Sequence, residues 1–237
     1  MSDRLYFRQW LAGRDFAIGD MMARQMLNFA YAVGDYETGE AVLIDPAYNP
    51  ADLVHLVEAD GLKVVGALGT HYHFDHVGGE FRGMEVPGIA SLLSVVDVPI
   101  HLNENEVPWV ARTTGVGADS LVGHTASDVL RVGAIDIELV HTPGHTPGSQ
   151  CFLVEKSLIS GDTLFLEGCG RTDLPGSDPE EMYRSLYERL AKVSADTIVY
   201  PGHLYSAERS APMESVRHDN YALAPMGPEQ WLAMFSR

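Results

Sequence analysis

The chain has 237 residues, of which 46% are hydrophobic, enough to bury the core of one large α/β domain or two small ones. Asp and Glu outnumber Lys and Arg by 33 to 16, and the net charge of −17 repels nucleic acid and anionic membrane surfaces. No apolar leader opens residues 1–16 and no later segment stays apolar for the about 20 residues of a membrane helix, so we expect a soluble, cytoplasmic protein without nucleic acid or a membrane as partner.

The first half of the chain has the pattern strand, helix, strand. Residues 25–45 contain two β-rich runs around a Gly-containing turn, which predicts a hairpin. An Asn-Pro pair opens a helix within residues 49–61, and the apolar residues 63–68 predict a buried strand. This order is typical of a βαβ unit. It places residues 70–76 at the carboxyl end of a strand, where α/β sheets usually carry their chemistry.

Residues 81–127 are irregular and rich in Gly and Pro. Within them we predict a short strand at 98–102 and a helical, lid-like segment at 106–112. The segment is expected to form one wall of the pocket. Its apolar side chains favour either a substrate wall or a dimer contact, and they are Met84, Ile89, Leu92, Leu93 and Trp109.

The β pattern returns after residue 128. Four runs at 129–132, 135–140, 149–155 and 157–162 are each bounded by turn residues. A helix capped by Asp178 follows, with apolar residues at helical spacing at Met182, Leu186, Leu190 and Val193. A last strand over 197–203 ends in a histidine. Two β-rich halves, each followed by helix, favour two sheets with helices outside, in a single domain over residues 1–237 with a short tail from about residue 206.

The segment THYHFDHVGG, residues 70–79, contains four ligand-type side chains within six positions. In an extended segment residues two apart point the same way, so His71 and His73 can bind one metal ion together. Asp75 and His76 are placed to face a second ion. Imidazole and carboxylate suit Zn²⁺, Fe²⁺ and Mn²⁺. A lone histidine is more often a core or surface residue, but this density favours a metal site.

Three further stretches end β runs with ligand-type residues. They are HTPGHTPG at 141–148, SGDTLF at 160–165 and YPGH at 200–203. They would supply His145, Asp162 and His203. Of the two histidines in the first stretch, His141 ends an alternating strand, so we interpret it as a structural or supporting residue.

With these motifs the chain resembles the metallo-β-lactamase superfamily, whose HxHxDH motif, later His, bridging Asp and final His recur here in order over essentially the whole chain. The resemblance implies an α/β fold, the αββα sandwich of two mixed β-sheets with helices on the outer faces, and a metal site between the sheets. It also implies the ligand assignment: one divalent ion on His71, His73 and His145, the other on Asp75, His76 and His203, and Asp162 between them.

The ligand set suggests a nucleophile that is not a side chain, because the chain shows no Ser-His-Asp or Cys-His pair. A metal-bound hydroxide can exist at neutral pH, and two metals can orient its attack. Asp75 is expected to orient this hydroxide or accept its proton, in addition to being a ligand.

The segment FLEGCGRTDLPGSDPEEMY, residues 165–183, resembles both the glyoxalase II-like hydrolases and the persulfide dioxygenases, which act on glutathione thiol derivatives. Arg171 would contact a glutathione carboxylate, or else pair internally with Asp173 or Asp178. Tyr205 would add a hydroxyl donor to the substrate site. Cys169 is interpreted as a small packed residue and not as a nucleophile.

The chain departs from glyoxalase II, because only about 34 residues follow His203 where that family has a C-terminal helical domain. Persulfide dioxygenases use a single iron on the residues that match His71, His145 and Asp162, so the ligands alone do not separate the two activities. We expect a binuclear metallo-hydrolase of a hydroxyacylglutathione-type thioester, with two divalent ions per chain, Zn²⁺ first and Fe²⁺ or Mn²⁺ as alternatives.

The alternative is an iron-dependent glutathione persulfide dioxygenase with one Fe²⁺. β-Lactam or lactone hydrolysis ranks lower. The expected partner is a small-molecule substrate, glutathione-linked in both leading interpretations, and the resemblance suggests a homodimer.

Overall fold

Fourteen strands run through residues 2–235, the part of the chain that the computed structural model describes. They are numbered in chain order. Their bounds are Leu5–Leu11 (β1), Phe29–Asp35 (β2), Glu40–Ile44 (β3), Lys63–Leu68 (β4), Gly79–Phe81 (β5), Met84–Val86 (β6), Ile100–Asn103 (β7), Leu121–His124 (β8), Val129–Val132 (β9), Ile135–His141 (β10), Gln150–Val154 (β11), Ser157–Gly161 (β12), Ile198–Pro201 (β13) and Ala211–Pro212 (β14).

These strands form two six-stranded sheets and a short hairpin. The first sheet has the order β1-β2-β3-β4-β7-β8, antiparallel up to β3 and parallel from β3 to β8. The second has the order β14-β13-β12-β11-β10-β9, in which β12 and β13 are parallel and the other pairs antiparallel. Strands β5 and β6 pair with each other outside both sheets. Both large sheets are therefore mixed, as predicted.

Within the described residues, six helices lie in connections between strands and two follow the last strand. Their bounds are Met21–Met26 (α1), Pro50–Ala59 (α2), Phe74–Val77 (α3), Ile89–Val95 (α4), Val107–Thr114 (α5), Pro179–Arg184 (α6), Met213–Asp219 (α7) and Pro228–Phe235 (α8). Asn49 caps α2 and Asp178 caps α6 through their side-chain oxygens, as the capping patterns predicted. After α6 the chain continues through a π-helical turn, Ser185–Arg189, and a 3-10 turn, Leu190–Lys192.

Three apolar layers hold these elements together. One joins α2 and α4 to the first sheet and includes Leu53 and Ile89. A second lies between the two sheets and includes Tyr31 and Phe152. A third joins α6, α7 and α8 to the second sheet and includes Trp231. The predicted order of layers, helix, sheet, sheet, helix, is confirmed.

Most of the predicted elements are present. The hairpin over residues 25–45 is β2 and β3, the strand at 63–68 is β4, and the β runs after residue 128 are β9 to β12. The last predicted strand is β13. By contrast, β1 is not predicted from its sequence, LYFRQWL, because polar residues interrupt the apolar run of this half-buried edge strand.

The segment 81–127 contains the predicted short strand, β7, and the predicted helix, α5, and in addition α4, β5, β6 and β8. The interpretation of its apolar residues is wrong for Ile89 and Leu92. Both belong to α4 and are fully buried in the core, so they can form neither a substrate wall nor a dimer contact. Within residues 81–127, all of which are described, Phe81 alone reaches the large cavity at the strand ends.

The residues after about 206 pack against the second sheet. Strand β14 pairs with β13, and Met213, Val216 and Trp231 are buried in the third apolar layer. The single domain over residues 1–237 stays a prediction, since Met1 and residues 236–237 lie outside the described residues. Within residues 2–235 no helix combines the length and hydrophobicity that crossing a bilayer requires.

A histidine pair lies at the edge of the first sheet, with His101 on β7 and His124 on β8. His101 Nδ1 and His124 Nε2 are 2.9 Å apart, and Asp128 Oδ2 lies 3.7 Å from His124 Nδ1. Burial and the neighbouring His124 lower the pKa of His101 from 6.5 to about 4. Because the folded-state pKa is the lower one, the neutral ring contributes stability that is complete above pH 6.5 and is lost as the pH falls toward 4.

We expect the free energy of unfolding to fall on acidification more in the natural protein than in a His101→Gln variant. The difference should be about 1–2 kcal/mol between neutral pH and pH about 4.5, after allowance for the partial exposure of the ring. Urea unfolding at a series of pH values measures it. Parallel pH curves for the two proteins would contradict the prediction.

Candidate metal centre

The side chains predicted as metal ligands lie where strands of both sheets end. The segment after β4 carries four of them, two before α3 and two within its single turn. The β10–β11 loop carries one, and the segments after β12 and β13 carry one each. The structure brings all seven together: His71, His73, Asp75, His76, His145, Asp162 and His203.

The first group of ligand atoms comes from three histidines. The distances from His73 Nδ1 to His71 Nε2 and to His145 Nε2 are both 3.0 Å. In two of these rings the nitrogen that points away from the site has its own partner. His71 Nδ1 lies 3.0 Å from Thr70 Oγ1, and His145 Nδ1 donates to the Arg171 carbonyl at 2.7 Å. Since a carbonyl only accepts, the lone pair of His145 is on Nε2 and faces the site.

The second group consists of a carboxylate and two histidines. His76 Nε2 and His203 Nε2 are 3.3 Å apart, and Asp75 Oδ2 lies 3.7 Å from the first nitrogen and 3.4 Å from the second. His203 Nδ1 donates to the Met26 carbonyl at 2.7 Å, and His76 Nδ1 lies 2.8 Å from Asp45 Oδ2. Both rings thus present Nε2 to the site.

Asp162 lies between the two groups. Its Oδ1 is 3.4 Å from His76 Nε2, and its Oδ2 is 3.4 Å from His203 Nε2 and 3.7 Å from His145 Nε2. Among the described residues, Oδ1 is buried without a hydrogen-bond partner. A buried carboxylate oxygen without a donor, beside converging imidazole nitrogens, is the environment that a bound cation satisfies. The residues therefore fit a divalent metal.

The electrostatics differ between the two groups. Burial lowers the pKa of His71 and of His145, and burial together with His145 lowers the pKa of His73 to about 3. These imidazoles are therefore neutral at physiological pH, as metal binding requires.

In the second group the carboxylates outweigh burial. Burial lowers the pKa of His76, but Asp162, Asp75 and Asp45 raise it to about 10. Burial lowers the pKa of His203 as well, but Asp162 and Asp75 together outweigh it and raise the pKa. Burial raises the pKa of Asp162, but the histidines around it, His203 and His76 first, hold that pKa well below its usual range. The acidic side of the site thus attracts positive charge strongly.

A family model described as the metallo-beta-lactamase superfamily matches residues 25–203, more than half of the chain. The chain belongs to the metallo-β-lactamase superfamily. This confirms the family recognised from the motifs and, with the layers described above, the predicted fold class.

The chain is similar to two curated proteins and to one solved structure that carry names. The mitochondrial persulfide dioxygenase ETHE1 of Mus musculus is 30% identical over 222 residues, 92% of this chain and 80% of that protein. The probable metallo-hydrolase YqgX of Bacillus subtilis is 32% identical over 177 residues, 69% of this chain and 80% of that protein. The crystal structure of ETHE1 from Myxococcus xanthus matches with a TM-score of 0.80 and 25% identity, covering 98% of this chain and 90% of the other.

A cavity of about 460 Å³ opens in front of the metal residues of this superfamily member. Much of its wall is apolar, from Met26, Phe74, Phe81, Phe165, Leu174 and Pro175. The residues that the sequence nominated for the substrate, Arg171 and Tyr205, also line it, as does Cys169. Tyr205 stacks on the ring of His203 at 4.6 Å. The cavity can therefore place a mainly apolar group beside the metal ligands.

Of the two interpretations of Arg171, the internal ion pair is present in the structure, with Asp173 as the partner. Its guanidinium pairs with Asp173 through two hydrogen bonds, at 2.8 and 2.7 Å, while Asp178 instead caps α6. The side chain is nevertheless 68% exposed and lies at the cavity wall. A substrate carboxylate would compete with Asp173 for this fork, so a direct contact with substrate remains a proposal.

Two buried residues behind the ligands are not predicted by the motifs. Asp45, which follows β3, accepts hydrogen bonds from the backbone N–H and the hydroxyl of Thr70, both at 2.7 Å, besides its contact with His76. Asn28, which precedes β2, lies against the second group of ligands. The Asp45-Pro46 pair predicts only the end of a strand, and Asn28 lies within an apolar run. The sequence therefore does not indicate that either residue contacts the metal ligands.

Glu106 is a third unpredicted residue. It lies in the segment interpreted as a lid, yet it is fully buried, and its Oε1 accepts from the Thr146 hydroxyl and the Gly148 N–H, both at 2.7 Å. Burial raises its pKa. Glu106 thereby anchors the loop that presents His145 and acts as a positioning residue rather than as part of a mobile lid.

Replacing His145 with Ala should remove most of the bound metal, because it removes a neutral imidazole whose free lone pair faces the site. The matched control is His141→Ala in the same loop region, since His141 Nε2 contacts the Pro147 carbonyl at 3.0 Å and belongs to none of the metal-sized groups of the described residues. Inductively coupled plasma mass spectrometry on both variants measures metal per chain. A metal-replete His145→Ala protein, or metal loss only in His141→Ala, would show that the wrong histidine has been assigned.

Proposed function

We propose that the protein is an iron-dependent dioxygenase that oxidises the outer sulfur of a thiol persulfide, with glutathione persulfide as the first substrate to test. The main support is the 30% identity with a persulfide dioxygenase over 92% of the chain, combined with the histidines and carboxylates that converge at the strand ends. The comparisons thus favour the alternative interpretation of the sequence over hydroxyacylglutathione hydrolysis.

The proposed iron ligands are His71, His145 and Asp162. Two histidines and one carboxylate with open positions are typical of non-haem Fe²⁺ oxygenases. Bound iron would supply the redox chemistry that allows O₂ to react with a sulfur compound. One persulfide, one O₂ and one water balance one thiol and one sulfurous acid, so no further reductant is needed.

The chain's own residues would bind and orient the persulfide. The apolar wall around Phe165 and Leu174 would shield the sulfur from bulk water, and the hydroxyl of Tyr205, which also lines the cavity, would act as a hydrogen-bond donor. Burial raises the pKa of Cys169 to about 12, so this thiol stays protonated and does not serve as a sulfur acceptor at neutral pH.

Thioester hydrolysis is the second candidate. It is favoured by the second ligand group, Asp75, His76 and His203, directly beside the first, and by the relative named as a probable metallo-hydrolase. In that case Asp75, placed on α3 at the cavity, would hold or accept a proton of the attacking water.

Oxygen consumption by iron-reconstituted protein with glutathione persulfide tests the proposal. We expect uptake of one O₂ per persulfide, its loss in Asp162→Ala, and its retention in Cys169→Ser. No uptake by protein shown to contain iron would overturn the dioxygenase proposal. Release of thiol from a hydroxyacylglutathione by the same sample would then identify the second candidate.

If the exposed Arg171 fork contacts a substrate carboxylate, Arg171→Ala should raise the KM for glutathione persulfide by about tenfold. The KM for an alkyl persulfide without carboxylates should change little. Asp173→Asn is the matched control, because it removes the charge that pairs with Arg171 and should lower the KM for glutathione persulfide. Equal effects of Arg171→Ala on both substrates would exclude the carboxylate contact.

A further inference from the structure

We propose that Glu167 selects the substrate by pairing with an ammonium group on the arm that extends out of the metal cavity. The inference rests on the proposed function, in which the sulfur end of a thiol persulfide lies at the metal ligands. It adds the chemical class of the other end of the molecule, an arm that carries an amine.

A second cavity of about 410 Å³, here called the outer groove, adjoins the cavity in front of the metal ligands. The two cavities share a wall that includes Arg171 and Tyr205. The outer groove is completed by the turn at residues 165–168, Ser206 and Tyr221. A substrate with its sulfur at the metal ligands can therefore extend past Tyr205 into the outer groove.

The turn that carries Glu167 is fixed by hydrogen bonds. The Phe165 N–H donates to the Gly168 carbonyl at 2.9 Å. The side-chain NH₂ of Asn220, a residue that is only 2% exposed, donates to the carbonyls of Phe165 and Gly168 at 2.9 and 3.0 Å. The backbone of Glu167 is therefore positioned before a ligand binds, while its exposed side chain lines the outer groove.

Glu167 is a charge without a protein partner in the described part of the chain. Among the described residues, Arg171 is the only Lys or Arg side chain that lines either cavity, and two hydrogen bonds already pair it with Asp173. Glu167 thus leaves the outer groove with a negative charge, in a chain whose net charge is −17. This field favours a cationic group on the substrate over a further carboxylate.

Two tyrosine rings of the outer groove also favour a cation. Tyr205 and Tyr221 are 54% and 58% exposed. Tyr205 is held by stacking on His203 at 4.6 Å, and Tyr221 lies against the turn, because a Cβ at Gly168 would be 2.7 Å from its hydroxyl oxygen. Aromatic ring faces attract ammonium groups. A carboxylate with exposed rings on the same groove suits an alkylammonium better than a neutral or anionic arm.

Glutathione belongs to this class, because its γ-glutamyl end carries an ammonium beside a carboxylate. Acetylation of that amine removes the positive charge and keeps both carboxylates. Comparison of glutathione with N-acetylglutathione therefore isolates the contribution of Glu167 from that of Arg171.

The test is calorimetric titration of both thiols into Zn²⁺-loaded protein, in which the site holds a metal that undergoes no redox turnover. We expect the natural protein to bind glutathione about 3- to 10-fold more tightly than N-acetylglutathione, through one exposed ion pair and a cation–π contact. In Glu167→Gln this preference should fall about threefold or more, and in Glu167→Lys it should fall further. The bulk of the acetyl group is the same for every variant, so it does not account for such a change.

Glu208→Gln is the matched control, because it removes the same charge from an exposed residue that does not line the outer groove. It should keep the preference of the natural protein.

Equal affinities of the natural protein for the two thiols, or an undiminished preference in Glu167→Gln, would overturn the inference. An equal loss in Glu208→Gln would also overturn it, since the preference would then come from the net charge of the chain. Failure of the dioxygenase proposal would appear separately, as absent oxygen uptake in iron-loaded protein, because the binding ratio is measured without turnover.

Discussion

The buried carboxylate of Asp45 is the contact on which the metal centre depends. Its two oxygens accept hydrogen bonds from the backbone and hydroxyl of Thr70 and contact the ring of His76. Asp45 has a left-handed backbone conformation, with φ of 52°, directly after β3. The parallel neighbours β3 and β4 thus end side by side and are tied together by a side chain. This connection sets the direction in which the HxHxDH segment leaves the first sheet.

The second sheet reaches the same point by close backbone approach. The Gln150 N–H donates to the Thr70 carbonyl, and the Gln150 side chain donates to the Gly69 carbonyl, both at 3.0 Å. At Gly202 a Cβ would lie 2.4 Å from Asp162 Oδ1, so only glycine lets the β13 end pass beside the central carboxylate. Contacts between the sheets, and not the motifs themselves, bring the predicted metal ligands from distant parts of the chain close enough to bind the same metal centre.

The same seven side chains are compatible with oxidation and with hydrolysis, so the reaction has to be decided by features around them. Two such features differ in kind: the apolar wall of the cavity, and the exposed Arg171 fork already paired with Asp173. Both affect which substrate the site can hold. A ligand motif constrains neither of them.

The sequence by itself determined the ligand set and most of the strands, because these depend on local patterns: alternation along a strand, a capping Asn or Asp, and ligand-type residues grouped at strand ends. It did not indicate β1, whose burial depends on pairing with β2, or the burial of Ile89 and Leu92 on the inner face of α4. Only the tertiary structure revealed the roles of Asn28, Asp45 and Glu106. Each acts on residues 20 or more positions away, as in the Tyr48 to Asn28 contact with a separation of 20 and the Thr146 to Glu106 contact with a separation of 40. Such contacts arise when sheets pack and strand order is set, and no short stretch of sequence records them.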